Sequence, residues 1–168
     1  MRDSESKDNQ RYLPTFKGCL ICGEKEENPH TCNLRFKVTG DGVETVFEPK
    51  AVHQGYEKVI HGGMLCALLD ETLGWAVAVE RKRYFMTGEL TVRFIHPLPV
   101  GTRVIVQGRC SENKSRYSVA EGEILDSEGR VYARGKGKFF LMSEDQAKKV
   151  DRVMTYHKDD VEVLKGSG

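Results

Sequence analysis

The sequence predicts an α+β domain in which an antiparallel sheet wraps one long central helix. Three observations carry that expectation. Residues 62–79 are almost continuously apolar, with Leu65, Leu68, Leu69, Leu73, Ala76 and Val79 recurring at helical spacing. Several later segments alternate apolar and polar residues with period two, as half-exposed antiparallel strands do. A long apolar helix and a half-apolar sheet can cover both surfaces only if the sheet packs around the helix.

Taken in order, residues 1–15 read as a flexible N-terminal arm and 16–142 as the domain itself. The domain opens with a Cys-rich turn region, 16–32, holding Cys19, Cys22, Gly23, Pro29, His30 and Cys32. Two short strands, 33–38 and 43–48, flank the Thr39-Gly40-Asp41-Gly42 turn signal, and a loop of mixed character follows over 49–60. Beyond the helix, alternation marks strands at 90–94, 103–110, 117–124 and 131–141. The Asp126-Ser127-Glu128-Gly129 turn makes the last two a hairpin. Residues 143–168 read as a short C-terminal helix and tail: Ser143 caps the helix, Gln146 sits where a capping box needs it, and the tail from Asp159 is peripheral.

Composition narrows the function classes. A chain of 168 residues suits one domain with its own hydrophobic core. With 26 Lys and Arg against 25 Asp and Glu it has no polycationic field for non-specific nucleic-acid binding, so an anionic ligand must be met by local donors. The polar opening, MRDSESKDNQ, is unlike a secretory signal, and the apolar stretch 64–79 reads as too short and too polar for membrane insertion, being interrupted by Asp70, Glu71 and Thr72. The expected location is the cytoplasm. Five cysteines, an odd number, argue against a disulfide framework, and Cys66 and Cys110 read as small hydrophobes.

The chemistry concentrates in HGGMLCALLDE, residues 61–71. A helix starting near Gly62 turns its first backbone amides outward, and two glycines let a ligand approach them, either to stabilise negative charge on an acyl oxygen or simply to form a tight turn into the helix. Asp70 falls within the apolar helix, where a carboxylate is costly unless paired. It reads as a general base or water-orienting group, with a structural role as the alternative and Glu71 as the other candidate carboxylate. Gly63 and Asp70 are seven residues apart in the sequence. At ~1.5 Å per residue they lie roughly 10 Å apart along one helix, too far to serve one carbonyl carbon. If both act, Gly63 of one copy must face Asp70 of another across a two-fold axis.

These residues resemble the hotdog-fold thioesterases of the phenylacetate-degradation and 4-hydroxybenzoyl-CoA type. The resemblance covers roughly 19–141 and rests on His61-Gly62-Gly63, Leu69-Asp70 and the strand end Arg93-Phe94-Ile95-His96-Pro97-Leu98-Pro99-Val100-Gly101. It implies a hotdog fold, a homodimer or homotetramer, and hydrolysis of an acyl-CoA, with coenzyme A as part of the substrate and no other cofactor. By the same resemblance the Gly63 amide polarises the thioester carbonyl and Asp70 activates water from the opposite subunit. Gln54 assists from the preceding loop, and the Thr87 hydroxyl holds the water. His61 is either a structural residue at the helix start or a general base. Lys114 and Arg116, in the turn 112–116, are candidates for the coenzyme A phosphates, with Arg81 in a second basic patch beside Lys82 and Arg83.

Two other hotdog roles compete: a non-catalytic acyl-CoA-binding protein and an acyl dehydratase. Nucleophilic attack by a cysteine needs more assumptions than Asp70-assisted attack by water. Trp75, Tyr84 and Phe85 either line an acyl pocket or belong to the core. Cys19-x2-Cys22 with His30 and Cys32 offers four ligands of the kind a structural zinc takes, but the His30-x-Cys32 spacing is tight for a finger. Turn and packing roles without a metal are the reading preferred from sequence.

Overall fold

A computed structural model describes residues 11–164. Along the chain run β1 (Lys37–Val38), β2 (Val43–Phe47), a 3-10 turn (Ala51–His53), β3 (Gln54–Tyr56), β4 (Val59–Ile60), α1 (Gly62–Arg81), β5 (Phe85–Phe94), β6 (Val104–Asn113), β7 (Tyr117–Asp126), β8 (Val131–Leu141) and α2 (Glu144–Val153). Six strands form one antiparallel sheet in the order β1-β2-β6-β7-β8-β5, and β3 and β4 make a small separate hairpin. The sheet curls around α1, which packs on β2, β5, β6, β7 and β8. This is the hotdog arrangement, an α+β fold.

The stripe Leu65, Leu68, Leu69, Thr72, Leu73 and Ala76 is buried, and Thr72 sits in it by bonding its hydroxyl to the Leu68 carbonyl at 2.7 Å. The sheet meets this stripe through glycines. A Cβ on Gly108 would stand 2.7 Å from a Leu73 methyl, and one on Gly135 3.2 Å from Leu69, so both strands press backbone against the helix. α1 ends at Arg81, with Lys82 left-handed at φ 52. By length and composition α1 could cross a membrane, against the expectation that this stretch is too short. Here it is the core helix, half of its apolar window buried inside the fold.

The β7–β8 hairpin forms at the foreseen turn: Gly129 takes φ +83, and Asp126 accepts the Glu128 and Arg130 amides. Ser143 and Gln146 cap α2 reciprocally, as expected. Both chain ends differ from the reading as arm and tail. Leu13 is fully buried and its amide bonds Phe36, Thr15 pairs with Thr155, and the Val161 amide bonds Tyr12. Residues 11–15 are therefore a docked segment, and Val163 of the tail is buried too. Asp160 anchors the tail by accepting from the His157 amide and from Arg35, whose Nη2 also donates to the Leu13 carbonyl at 3.3 Å. The remainder of the foreseen arm, 1–10, and residues 165–168 lie outside the described residues. The strand expected over 33–38 shrinks to β1, because Asn33 takes a positive φ and 31–34 instead bond the Cys-rich turn.

Candidate active site

The helix start is assembled from three pieces that are separate in sequence. The Ile60 amide bonds the Leu98 carbonyl, the Val100 amide bonds Lys58, and Val59 bridges Pro99, so the β3–β4 hairpin is tied to the Pro-rich loop after β5. The His61 amide bonds the His53 carbonyl. The imidazole of His61 rests against Gly55, where a Cβ would come within 2.9 Å of it. Gly62 lies under the Phe94 ring, 3.2 Å from where its own Cβ would be.

His61 is the N-cap of α1. Its Nδ1 accepts the Gly63 amide at 2.8 Å, which requires the ring nitrogen to be unprotonated and places the imidazole hydrogen on Nε2. The amide foreseen as an oxyanion donor therefore has an internal acceptor, and a substrate oxygen must replace His61 to use it. The ring of His61 thus caps the helix start, the position that the structural reading gives it.

Asp70 is half-buried, on a side of α1 that β5 borders, and is not enclosed in the core as the apolar pattern suggested. The Thr87 hydroxyl donates to its Oδ1 at 2.8 Å. A register shift in the β5–β8 pairing falls between Thr87 and Glu89, at Gly88, where a Cβ would strike the Phe140 ring at 2.3 Å. Such bulges re-aim side chains next to functional sites, and this one accompanies the Thr87 hydroxyl on Asp70. The structure thus brings Asp70 and Thr87 together. Gln54 is exposed in β3, its Oε1 accepting the Lys58 amide at 3.2 Å, in a conformation that serves its own hairpin.

Arg81 sits differently from the surface patch read in the sequence. Its Nη1 donates to Asn113 Oδ1 at 3.3 Å, the Lys114 carbonyl at 3.1 Å and Ser118 Oγ at 3.4 Å, fastening the end of α1 to the β6–β7 turn. Arg81 and Lys114 are therefore neighbours. The Lys114 ammonium pairs with Glu112 at 3.6 Å, and Arg116 is exposed beside it. Trp75 and Tyr84 are core residues, their rings edge to face at 6.3 Å, and Phe85 packs on the Leu73, Val77 and Phe139 cluster.

A second polar cluster escaped the sequence reading. Glu71 turns toward Cys19, whose thiol lies 3.7 and 3.8 Å from its two carboxylate oxygens, and the Trp75 indole donates to it at 3.3 Å. Burial, reinforced by the Cys19 sulfur, pushes the Glu71 carboxyl up to about 7. Cys19 is lowered to about 6, first by the Cys22 thiol directed at it and further by the Cys22 and Ile21 amides, against the effect of burial. Cys22, giving that hydrogen bond and buried, is raised. His30 is exposed, and the Cys32 thiol points to the Met64 sulfur at 3.9 Å, so the foreseen four-ligand set does not assemble. The signals that could have found Glu71 were Trp75 one helical turn on and the CxxC turn, but nothing local to 61–75 says which residues fold back over it. Cys66 and Cys110 are half-buried with thiols raised by burial, in keeping with inert roles.

Residues 57–133 match the thioesterase superfamily. A thioesterase superfamily protein of known structure superposes with a TM-score of 0.68 at 24% identity, over 75% of this chain and 61% of its own, so this chain spans under two thirds of that protein. A hypothetical thioesterase protein from Streptococcus pneumoniae TIGR4, solved with coenzyme A, gives 0.61 at 20% identity over 66% of this chain and 87% of that one. The PaaI protein of the E. coli phenylacetic acid degradation operon gives 0.61 at 17% identity over 67% and 81%. No curated protein matches the chain by sequence. At these identities the structural likeness speaks for the fold, and the sequence match speaks for the segment that carries it: residues 57–133 match the thioesterase superfamily within a hotdog fold.

Proposed function

We propose that the chain is a cytoplasmic acyl-CoA thioesterase whose active site is completed by a second copy of itself. The observation that carries this reading is the Asp70–Thr87 pair, a carboxylate oriented by a hydroxyl at 2.8 Å beside the core helix of a chain that matches the superfamily. Water held at Asp70 attacks the thioester carbon and gives its proton to the carboxylate. The Gly63 amide of the other copy, released from His61, receives the developing oxyanion. The C–S bond then breaks, the thiolate leaves as free thiol by taking the proton from Asp70, and the acyl group departs as the acid.

The second copy is proposed to bind along β5. Among the described residues β5 is a ten-residue edge strand with one sheet neighbour, β8. Met86, Phe94, Ile95 and Phe140 are exposed along it, and Met86 and Phe140 are cross-strand partners. A long apolar edge invites pairing with another strand. Lys114 and Arg116 are the proposed contacts to the coenzyme A phosphates, with Arg81 holding their turn in place, and no further cofactor is needed.

The test is release of free thiol from a panel of short, medium, long and aromatic acyl-CoAs. Hydrolysis of at least one class is expected. Failure with every acyl-CoA by folded, self-associated protein would instead favour an acyl-CoA-binding role. Thr87→Val should lower kcat by roughly 10- to 100-fold, the worth of a hydrogen bond to a charged group, with KM little changed.

A further inference from the structure

We propose that Cys19, Cys22 and Glu71 form a zinc(II) site that fastens the Cys-rich turn to the middle of α1. The two sulfurs and a carboxylate oxygen all lie within 4.8 Å of one another. A tetrahedral ion about 2.3 Å from sulfur and about 2.1 Å from oxygen separates those atoms by roughly 3.6 Å. The Cys19 sulfur stands 3.7 and 3.8 Å from the Glu71 oxygens, so an ion fits with small side-chain adjustments.

The surroundings are built for charged ligands. The Ile21 and Cys22 amides point at the Cys19 sulfur at 3.3 and 3.4 Å, which favours a thiolate there. The Gly23 amide closes the turn on the Cys19 carbonyl, and a Cβ at Gly23 would strike that oxygen at 2.2 Å, so the turn between the two cysteines demands glycine after it. Behind Glu71, the Trp75 indole donates to Oε1 at 3.3 Å and orients the carboxylate. The turn is itself held by the Cys32 amide on Leu20 at 2.7 Å, the Leu34 amide on Ile21 at 2.9 Å and the Asn33 side chain on Gly23 at 2.7 Å. Two thiolates and one carboxylate, soft and hard donors together, suit zinc better than calcium or magnesium. A solvent molecule takes the fourth position, and binding releases to solvent whatever protons the two cysteines and Glu71 still hold, the Cys22 thiol proton first among them.

The full chain, freed of metal by a chelator in the presence of a thiol-free reductant, is titrated with cobalt(II) and then zinc(II). Expected are uptake of a single ion per chain, a thiolate-to-cobalt charge-transfer band with intense tetrahedral d–d bands, and displacement of both by zinc. Cys19→Ser with Cys22→Ser should abolish the charge-transfer band. Glu71→Gln, which keeps both thiols, should retain the band but bind roughly tenfold or more weakly. Absence of the band in folded wild-type protein, its survival in the double serine variant, or unchanged affinity in Glu71→Gln would each overturn the proposal. The wild-type titration decides even if a variant fails to fold.

Discussion

Asp70→Asn is expected to lower kcat for thioester hydrolysis by roughly 10²- to 10⁴-fold, the range over which a positioned general base acts. The substitution removes the base while preserving size, and the amide oxygen can still accept the Thr87 hydroxyl that now bonds Oδ1 at 2.8 Å. Because Asp70 is half-buried and not enclosed by the core, folding should change little. KM should also hold, since the carboxylate is asked to act on water and not to grip the substrate. Steady-state thiol release compared with thermal unfolding separates these effects. A parallel loss of binding and turnover would mean that Asp70 holds ligand instead. Glu71, the other carboxylate considered from sequence, faces Cys19 and Trp75, away from this pair.

Leu73→Ala should cost about 4 kcal/mol of stability, toward the upper end for leucine truncation in a core. For a chain of this size that is a fall in Tm of roughly 8–16 °C. Leu73 is fully buried, and one of its methyls approaches the backbones of both Gly108 and Gly122, at 2.7 and 3.0 Å from where their Cβ atoms would stand. Neither glycine has a side chain that could relax into the space it leaves. The two glycines differ in what they would allow. At Gly122 an added Cβ strikes the Gln107 carbonyl at 2.2 Å, a backbone atom. At Gly108 the close contact is the Leu73 side chain itself. Gly108→Ala alone should therefore destabilise by about 1–3 kcal/mol through overpacking, yet recover part of the loss when combined with Leu73→Ala. Denaturant unfolding of the cycle tests this, and purely additive effects would contradict the packing described.

The same contrast explains what was legible in the sequence. Leu65 to Ala76 announce α1 because helical spacing is local, and Asp126 to Gly129 announce the last hairpin because a short turn carries its own chemistry. The docking of Leu13 on Phe36 and of Thr15 on Thr155 depends on partners far along the chain, so a polar opening read as an arm. Asp70 and Glu71 look alike in sequence although neighbours on a helix point about 100° apart. Only the return of Cys19 over one face and of Thr87 beside the other distinguishes them. A structural His61 at the helix start was among the readings, but its bond from the Gly63 amide was not, because histidine is not among the favoured N-cap residues, and so that amide looked free. Arg81 looked like part of a solvated charge run until the β6–β7 turn folded onto it.

The most direct test of a site shared between two copies is a mixing experiment. Gly63→Pro removes the amide hydrogen in the first turn of α1, at the cost of moving the His61 ring that stands 2.9 Å from where a Cβ at Gly63 would be, and should be nearly inactive alone, as should Asp70→Asn. Co-refolded in equal amounts, random pairing leaves one intact site in each mixed dimer, so about a quarter of wild-type thioesterase activity should return. Mixtures no more active than the separate variants, although mass spectrometry shows mixed dimers, would contradict the account and place both groups in one chain or leave one of them outside the chemistry.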